Sequence, residues 1–466
     1  MSDTHNPTDT TSESSFGQIT LAIASLGALA TYLDTTILFV AFPDITNSFG
    51  DSSTSALSRV LNAYTITIAA LLVPSGKLAD RLGHRLAFLV GSSVFTAASM
   101  LCGLAPSLEL FVVFRVFQGA GAAILVPASL ALVMAAFPRE KLPQVIAIWG
   151  AIGAFSAALG PALGGAIVNG LGWRWVFFLN LPIGIVTLLA GSRFLRESKD
   201  STVRIPKLLG VVLVAGAAGV LSYGIVESDA AGWGSPQTAI TLAVGLVLLA
   251  TFIFHQKQTD APTLDLELFA IGNFRWGSLA MFTFAMGFGS MFFGSILFMV
   301  NVWGWSILKA GLAIAPSPAL VAVLAPRFGK VAGRIGQRPL VLLGGLFLTT
   351  SGLYWRLILT IDAGYWVGFV APLILVAFAT ALIFPSVTSV AAQALPQNRV
   401  GVGGAAIQAV RQFGMTFGVA VTLAFIGSAP QTAELFIRFN RIWYTLIILG
   451  LLTTLCGLPL KTKKAA

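Results

Sequence analysis

Stretches of about 20 apolar residues recur almost from end to end of this 466-residue chain, and no other feature narrows its fold as far. A run of that length crosses the roughly 30 Å hydrocarbon core of a bilayer as a helix that satisfies its own backbone hydrogen bonds. Hydrophobic residues make up 56% of the sequence and charged ones 10%, a balance that no water-soluble fold of this size keeps in solution. The expected architecture is an all-α integral membrane protein, and the runs number fourteen. The first lacks the basic flank of a signal peptide and carries Asp34 inside it, so it reads as a spanning helix. Residues 1–14, rich in Ser, Thr and Asp, read as a disordered tail.

Ten residues at 76–85, GKLADRLGHR, reappear at 329–338 as GKVAGRIGQR, with Gly, Lys, Ala, Arg, Gly and Arg in register. Each copy is a short basic turn between two apolar runs, so the chain divides into two similar halves. Residues 15–196 form one six-helix half and 273–459 the other. Residues 197–272 hold the linkers and an inserted helix pair, and 460–466 a basic tail. An even number of spans puts both termini on one side. Lys and Arg concentrate in the 77–85 turn, the 193–207 loop, the 327–338 turn and the C-terminal tail, which marks that side as cytoplasmic. The net charge of +10 thus follows from orientation in an inner, cytoplasmic membrane, and no nucleic-acid partner is required. The lipid bilayer is the expected partner, and the chain reads as a monomer.

No GxxxxGK[ST] motif occurs, and His5, His84 and His255 lie in the tail or at membrane edges. Neither a nucleotide motor nor an enzyme is expected, and no cofactor or metal site. A two-halved membrane bundle without these points to a transporter of small molecules driven by an ion gradient or by a separate subunit. Intramembrane charge costs about 2.5–3.5 kcal/mol per residue on insertion scales, which singles out Asp34, Arg115 and Arg411. Counting about 1.5 Å per residue places Asp34, Arg115 and Tyr64 at matched depth in the outer half. Burial disfavours a charged carboxylate and a guanidinium favours it, so Asp34 is the candidate site for exchanging protons. The plainer alternative is a permanent Asp34–Arg115 pair that holds helices together. Arg411 in the thirteenth run meets an anionic group or a backbone carbonyl. Gln118, Gln408, Phe284 and Phe288 are candidates for a cavity wall, with lipid contact as the alternative for the aromatic run.

In the repeated turn, Gly76 and Gly83 allow close packing and a sharp reversal, while Arg81 and Arg85 hold it at the membrane face. Asp80 is expected to cap the positive end of a neighbouring helix, such as the thirteenth, as a gate latch. In the fifth run, Gly160, Pro161, Gly164 and Gly165 combine a helix-breaking proline with a small face suited to close packing and gating.

These motifs together resemble the major facilitator superfamily, and within it the fourteen-spanner drug:proton antiporter branch. GKLADRLGHR resembles the superfamily's loop signature, RVFQGAGAA (115–123) its fourth-helix signature, and GPALGG (160–165) the antiporter signature. LDTTILFVAFP resembles the branch pattern LDxTIVNVALP, and WRWVFFLNLPIG (173–184) its sixth-helix entry. The resemblance implies two six-helix halves plus an inserted pair, with protons exchanged at Asp34 and Arg115. It implies multidrug efflux of hydrophobic or monocationic amphipathic compounds. Export of a lipid, siderophore or natural product, uptake symport, and a sensor or scaffold remain as alternatives. Phe39 departs from the pattern's Asn, and Gly333 replaces the acid in the second turn.

Overall fold

The computed structural model describes residues 7–49, 54–138, 141–199, 205–361, 364–395, 399–426 and 432–461. The first half comprises α1 (Pro7–Phe49), α2 (Thr54–Leu82), α3 (His84–Leu104), α4 (Leu108–Ala135), α5 (Leu142–Leu171), α6 (Arg174–Phe178) and α7 (Asn180–Phe194). α8 (Leu208–Ala231) and α9 (Pro236–Gln258) fall in the section expected to hold an inserted pair. The second half comprises α10 (Gly272–Asn301), α11 (Ile307–Ile314), α12 (Pro316–Ile335), α13 (Arg338–Ile358), α14 (Ala371–Gln393), α15 (Val400–Ile426) and α16 (Thr432–Gly457).

Two pairs, α6/α7 and α11/α12, continue one another across a local break. Pro182 has no N–H to give the Phe178 carbonyl, and Pro316 and Pro318 likewise leave the carbonyls of Leu312 and Ile314 without a helical donor. Among the described residues, twelve segments are long and apolar enough to cross a membrane, against the fourteen expected. The two helices outside that set are α2 and α5. α2 holds Lys77, Asp80 and Arg81 near its end, and α5 contributes a shorter apolar stretch, Ala162–Leu171. The tail expected over 1–14 is also corrected, because α1 is helical from Pro7. Residues 1–6 and 462–466 lie outside the described residues.

Within the first half α1 packs on α5, α2 on α4, and α3 on α4 and α7. Within the second, α10 packs on α15 and α16, α13 on α14 and α16, and α12 on α14. The halves meet along two seams, α2 against α15 and α5 against α12. One continuous apolar cluster joins Tyr64, Ile68 and Leu72 of α2 to the core of the second half. α8 lies over both α2 and α15, and α9 packs on α8.

The repeated turns are built alike and fastened differently. Gly83 adopts φ 119° and Gly336, at the same register, φ 85°, a backbone region that favours glycine. A Cβ on Gly83 would also run into the carboxylate of Glu197. That carboxylate accepts the backbone N–H groups of Arg85 (3.0 Å) and Leu86 (3.1 Å), placing an acid on the free donors of α3's first turn. Arg85 Nη2 donates to the Ser192 carbonyl at 2.5 Å. In the second copy Gln337 is buried and donates to Ser389 Oγ and Gln393 Oε1, both at 3.4 Å.

Candidate functional site

A charged pair sits at the centre of the first half. Arg115 on α4 donates through Nη1 to Asp34 Oδ2 on α1 at 2.6 Å, and both side chains are essentially out of solvent contact. Asp34 Oδ1 accepts from Gln118 Nε2 at 2.8 Å and from Asn180 Nδ2 at 3.0 Å. The Gln118 amide is fixed by its two neighbours, since its Oε1 accepts from Arg115 Nη1 at 2.7 Å; turned over, it would set donor against donor. Asn180 opens α7 directly after the α6/α7 break, and its Nδ2 also meets Ser99 Oγ at 3.0 Å. Ser99 in turn donates to the Phe177 carbonyl. The Arg115 guanidinium lies 4.0 Å over the Tyr64 ring, and Tyr64 Oη donates to the Thr31 carbonyl at 3.2 Å. Two helices, α4 and α7, thus hold the α1 carboxylate through three side-chain nitrogens, and Arg115, at matched depth, touches both Asp34 and Tyr64.

Beside this network lies a cavity of about 70 Å³ between the halves. Tyr64 and Arg115 line one wall, Phe288, Phe292 and Phe293 of α10 face them, and Gln412 and Thr416 of α15 close the side. Among the described residues no carboxylate belongs to the lining, because Asp34 is held behind Arg115. Of the residues expected on the wall, Phe288 is there. Phe284 is buried and packs on Phe288 at 6.0 Å. Gln118 belongs to the charged network and Gln408 to Arg411, so neither lines the cavity. Polarity marks both amides as having a buried task, but the task is to orient a guanidinium.

Arg411 is placed one turn from the cavity-lining Met415, toward the start of α15. Its Nε donates to Gln408 Oε1 at 2.8 Å, Nη1 approaches Met415 Sδ at 3.5 Å, and Nη2 donates across the halves to Tyr32 Oη at 3.2 Å. The Phe384 ring lies 5.7 Å away, and Tyr32 packs edge-on to Trp149. Arg411 therefore seals the space beneath the cavity and does not join Asp34.

At the end carrying the repeated turns, buried Lys77 donates through Nζ to the Pro262 carbonyl at 2.6 Å. That segment, which follows α9, continues to Asp265 and Glu267, which face Arg399 at 3.5 and 3.1 Å. A strap thus runs from α2 to the residue before α15. Asp80, also buried, lies 3.5 Å from His84 Nε2. Gly76 is buried in the same turn, and Arg81 is exposed there. In α5, a Cβ on Gly160 would strike Thr36 of α1, and one on Gly165 would meet Leu308 of α11. Gly164 is buried, and the side chain of Pro161 lies outside the described residues. Asn180, Ser99, Glu197 and the 262–267 strap escape the sequence reading. Only Asn180 carries a signal, an amide in the middle of an apolar run.

The family described as Major Facilitator Superfamily matches residues 24–419. The chain is 35% identical over 404 residues to "Multidrug resistance protein Stp" of Mycobacterium tuberculosis (strain CDC 1551 / Oshkosh), covering 86% of this chain and 74% of that one. It is 33% identical over 407 residues to "Tetracenomycin C resistance and export protein" of Streptomyces glaucescens, with the same coverages. Among solved structures, the human organic anion transporter MFSD10 (TETRAN) shares the fold with a TM-score of 0.63 at 16% identity, over 96% of this chain and 99% of that one.

Proposed function

The chain belongs to the Major Facilitator Superfamily, and on that premise we propose that it exports hydrophobic or monocationic amphipathic compounds in exchange for protons. Alternating access of the two halves would expose the cavity to each side in turn. The observation that carries this reading is the buried Asp34–Arg115 pair on the rim of a cavity between the halves. The relatives' names, a multidrug resistance protein and an antibiotic export protein, support export. The test is purified protein in liposomes with an imposed pH gradient. Gradient-driven accumulation of an amphipathic dye is expected; its absence at every gradient would leave a scaffold or sensor.

Fourteen spans, with residues 197–272 as the inserted section, fit best with α2 and α5 counted among the spanning helices. Both pack between helices long and apolar enough to cross, α2 against α4 and α15, α5 against α1 and α12. Both termini are then cytoplasmic, in line with the basic residues of the repeated turns. A cysteine at Ser235, in the α8–α9 connection, is expected to react with an impermeant thiol reagent from outside intact cells. Reaction only after the cells are opened would invert the topology.

Opening the cavity to the cytoplasm must part α2 from α15, and the strap at that end resists it. Its two bonds differ in strength. Lys77→Met removes a buried, charge-assisted hydrogen bond and is expected to shift the balance toward the cytoplasm-open state by about tenfold or more. Arg399→Gln breaks ion pairs whose arginine is 44% exposed, so the shift stays within about fivefold. The readout is the alkylation rate of a cysteine at Ala409, buried on α15. An alkylation rate unchanged in both variants would show that the strap does not bear on opening.

A further inference from the structure

We infer that the transported compound is a neutral aromatic molecule that offers a hydrogen-bond acceptor, such as a ketone or quinone oxygen, to the unused donors of Arg115. The inference rests on the reading of this cavity as the transport site and narrows the substrate class. A guanidinium carries five N–H donors in a fixed plane, and here only Nη1 is engaged, with Asp34 and Gln118. Nε is buried with no acceptor, and Nη2 has none among the described residues. Arg115 is 1% exposed and lines the cavity, so these donors await a partner that arrives through it.

The charge of that partner follows from the surroundings. A cation would face a guanidinium, with no carboxylate on the wall to hold it and no net charge on the Asp34–Arg115 pair to attract it. An anion would compete with Asp34 for Arg115, leaving a buried carboxylate on the neutral amides of Gln118 and Asn180, an arrangement strongly disfavoured in a desolvated site. A neutral oxygen accepts from Nε and Nη2 and leaves the Nη1–Asp34 bond intact. Its ring system meets flat apolar surfaces: Phe288 and Phe292 stack at 6.0 Å with an interplanar angle of 25°, opposite Tyr64, an arrangement suited to aromatic faces. At about 70 Å³ the cavity is far below the roughly 300–1,000 Å³ of drug-sized sites, so the halves must part to admit it. A neutral molecule exchanged for a proton moves net charge, so membrane voltage adds to the pH gradient as a driving force.

The test uses four probes on one ring system, binding to the purified full chain: 9-fluorenone, fluorene, fluorene-2-carboxylate and 2-(trimethylammonio)fluorene. Fluorenone is expected to bind about tenfold more tightly than fluorene and more tightly than either charged probe. In Arg115→Lys, which keeps a cation beside Asp34 but loses the planar fork, the ketone preference should fall to within about twofold. Tightest binding by the cation or the carboxylate overturns the inference, as does a fluorenone preference that persists in Arg115→Lys. Should that variant not fold, the wild-type chain on a solid-supported membrane decides. Fluorenone-driven exchange should carry charge and respond by about 50-fold in accumulation ratio per 100 mV, and exchange without charge movement overturns the inference. The binding arms do not depend on proton coupling. Failure of all pH-driven transport would instead strike the transport reading itself.

Discussion

Asp34→Asn is expected to abolish pH-driven accumulation while leaving exchange of substrate down its own gradient. Among the described residues the buried acids are Asp34 and Asp80, and Asp80 lies at the end of the bundle, in the repeated turn. A proton that crosses by way of a fixed carboxylate therefore has one candidate in the interior. Each pH unit drives about tenfold accumulation for one proton exchanged, about 1.4 kcal/mol, and an amide that cannot titrate forfeits all of it. The comparison is proteoliposome uptake with and without a pH gradient, for wild type and variant. Full gradient-driven uptake by the variant would move attention to Arg115, Arg411 or a water-filled route.

The same pair should dominate stability, and the losses should not add. Arg115→Met leaves the Asp34 carboxylate on two neutral amides, and Asp34→Asn leaves a guanidinium without its counter-charge; each should cost about 3–5 kcal/mol. The double variant removes both charges at once and is expected to be more stable than either single one, while still lacking pH-driven transport. Resistance to unfolding by SDS in mixed micelles measures this. A double variant as unstable as the sum of the singles would show that the two side chains are not energetically coupled. The double variant also separates lost coupling from lost folding in the transport assay.

The sequence makes legible whatever depends on span length and on the cost of buried charge. Apolar runs announce the helices, and Asp34, Arg115 and Arg411 declare themselves because the bilayer makes each expensive. Depth along a helix can be counted, which is why Tyr64 falls beside Arg115 as expected. The facing of a helix is far harder to read when every face is apolar. Phe284 and Phe288 lie one turn apart on α10, yet one is buried in packing and the other lines the cavity. Partners far apart in the chain leave still less trace: Asp34 meets Asn180, Gly83 meets Glu197, and Lys77 meets Pro262. Phe39 departs from the branch pattern, and the polar surroundings of Asp34 come instead from Gln118 and Asn180 on other helices.

The α8/α9 pair leaves the two flanks of the molecule unlike each other. α8 covers the seam between α2 and α15, while among the described residues neither α8 nor α9 packs over the seam between α5 and α12. A compound dissolved in the lipid therefore meets a shuttered wall on one flank and a bare joint on the other. The small residues of the GPALGG segment lie on the α5 side of that uncovered joint, where Gly165 packs on Leu308 of α11.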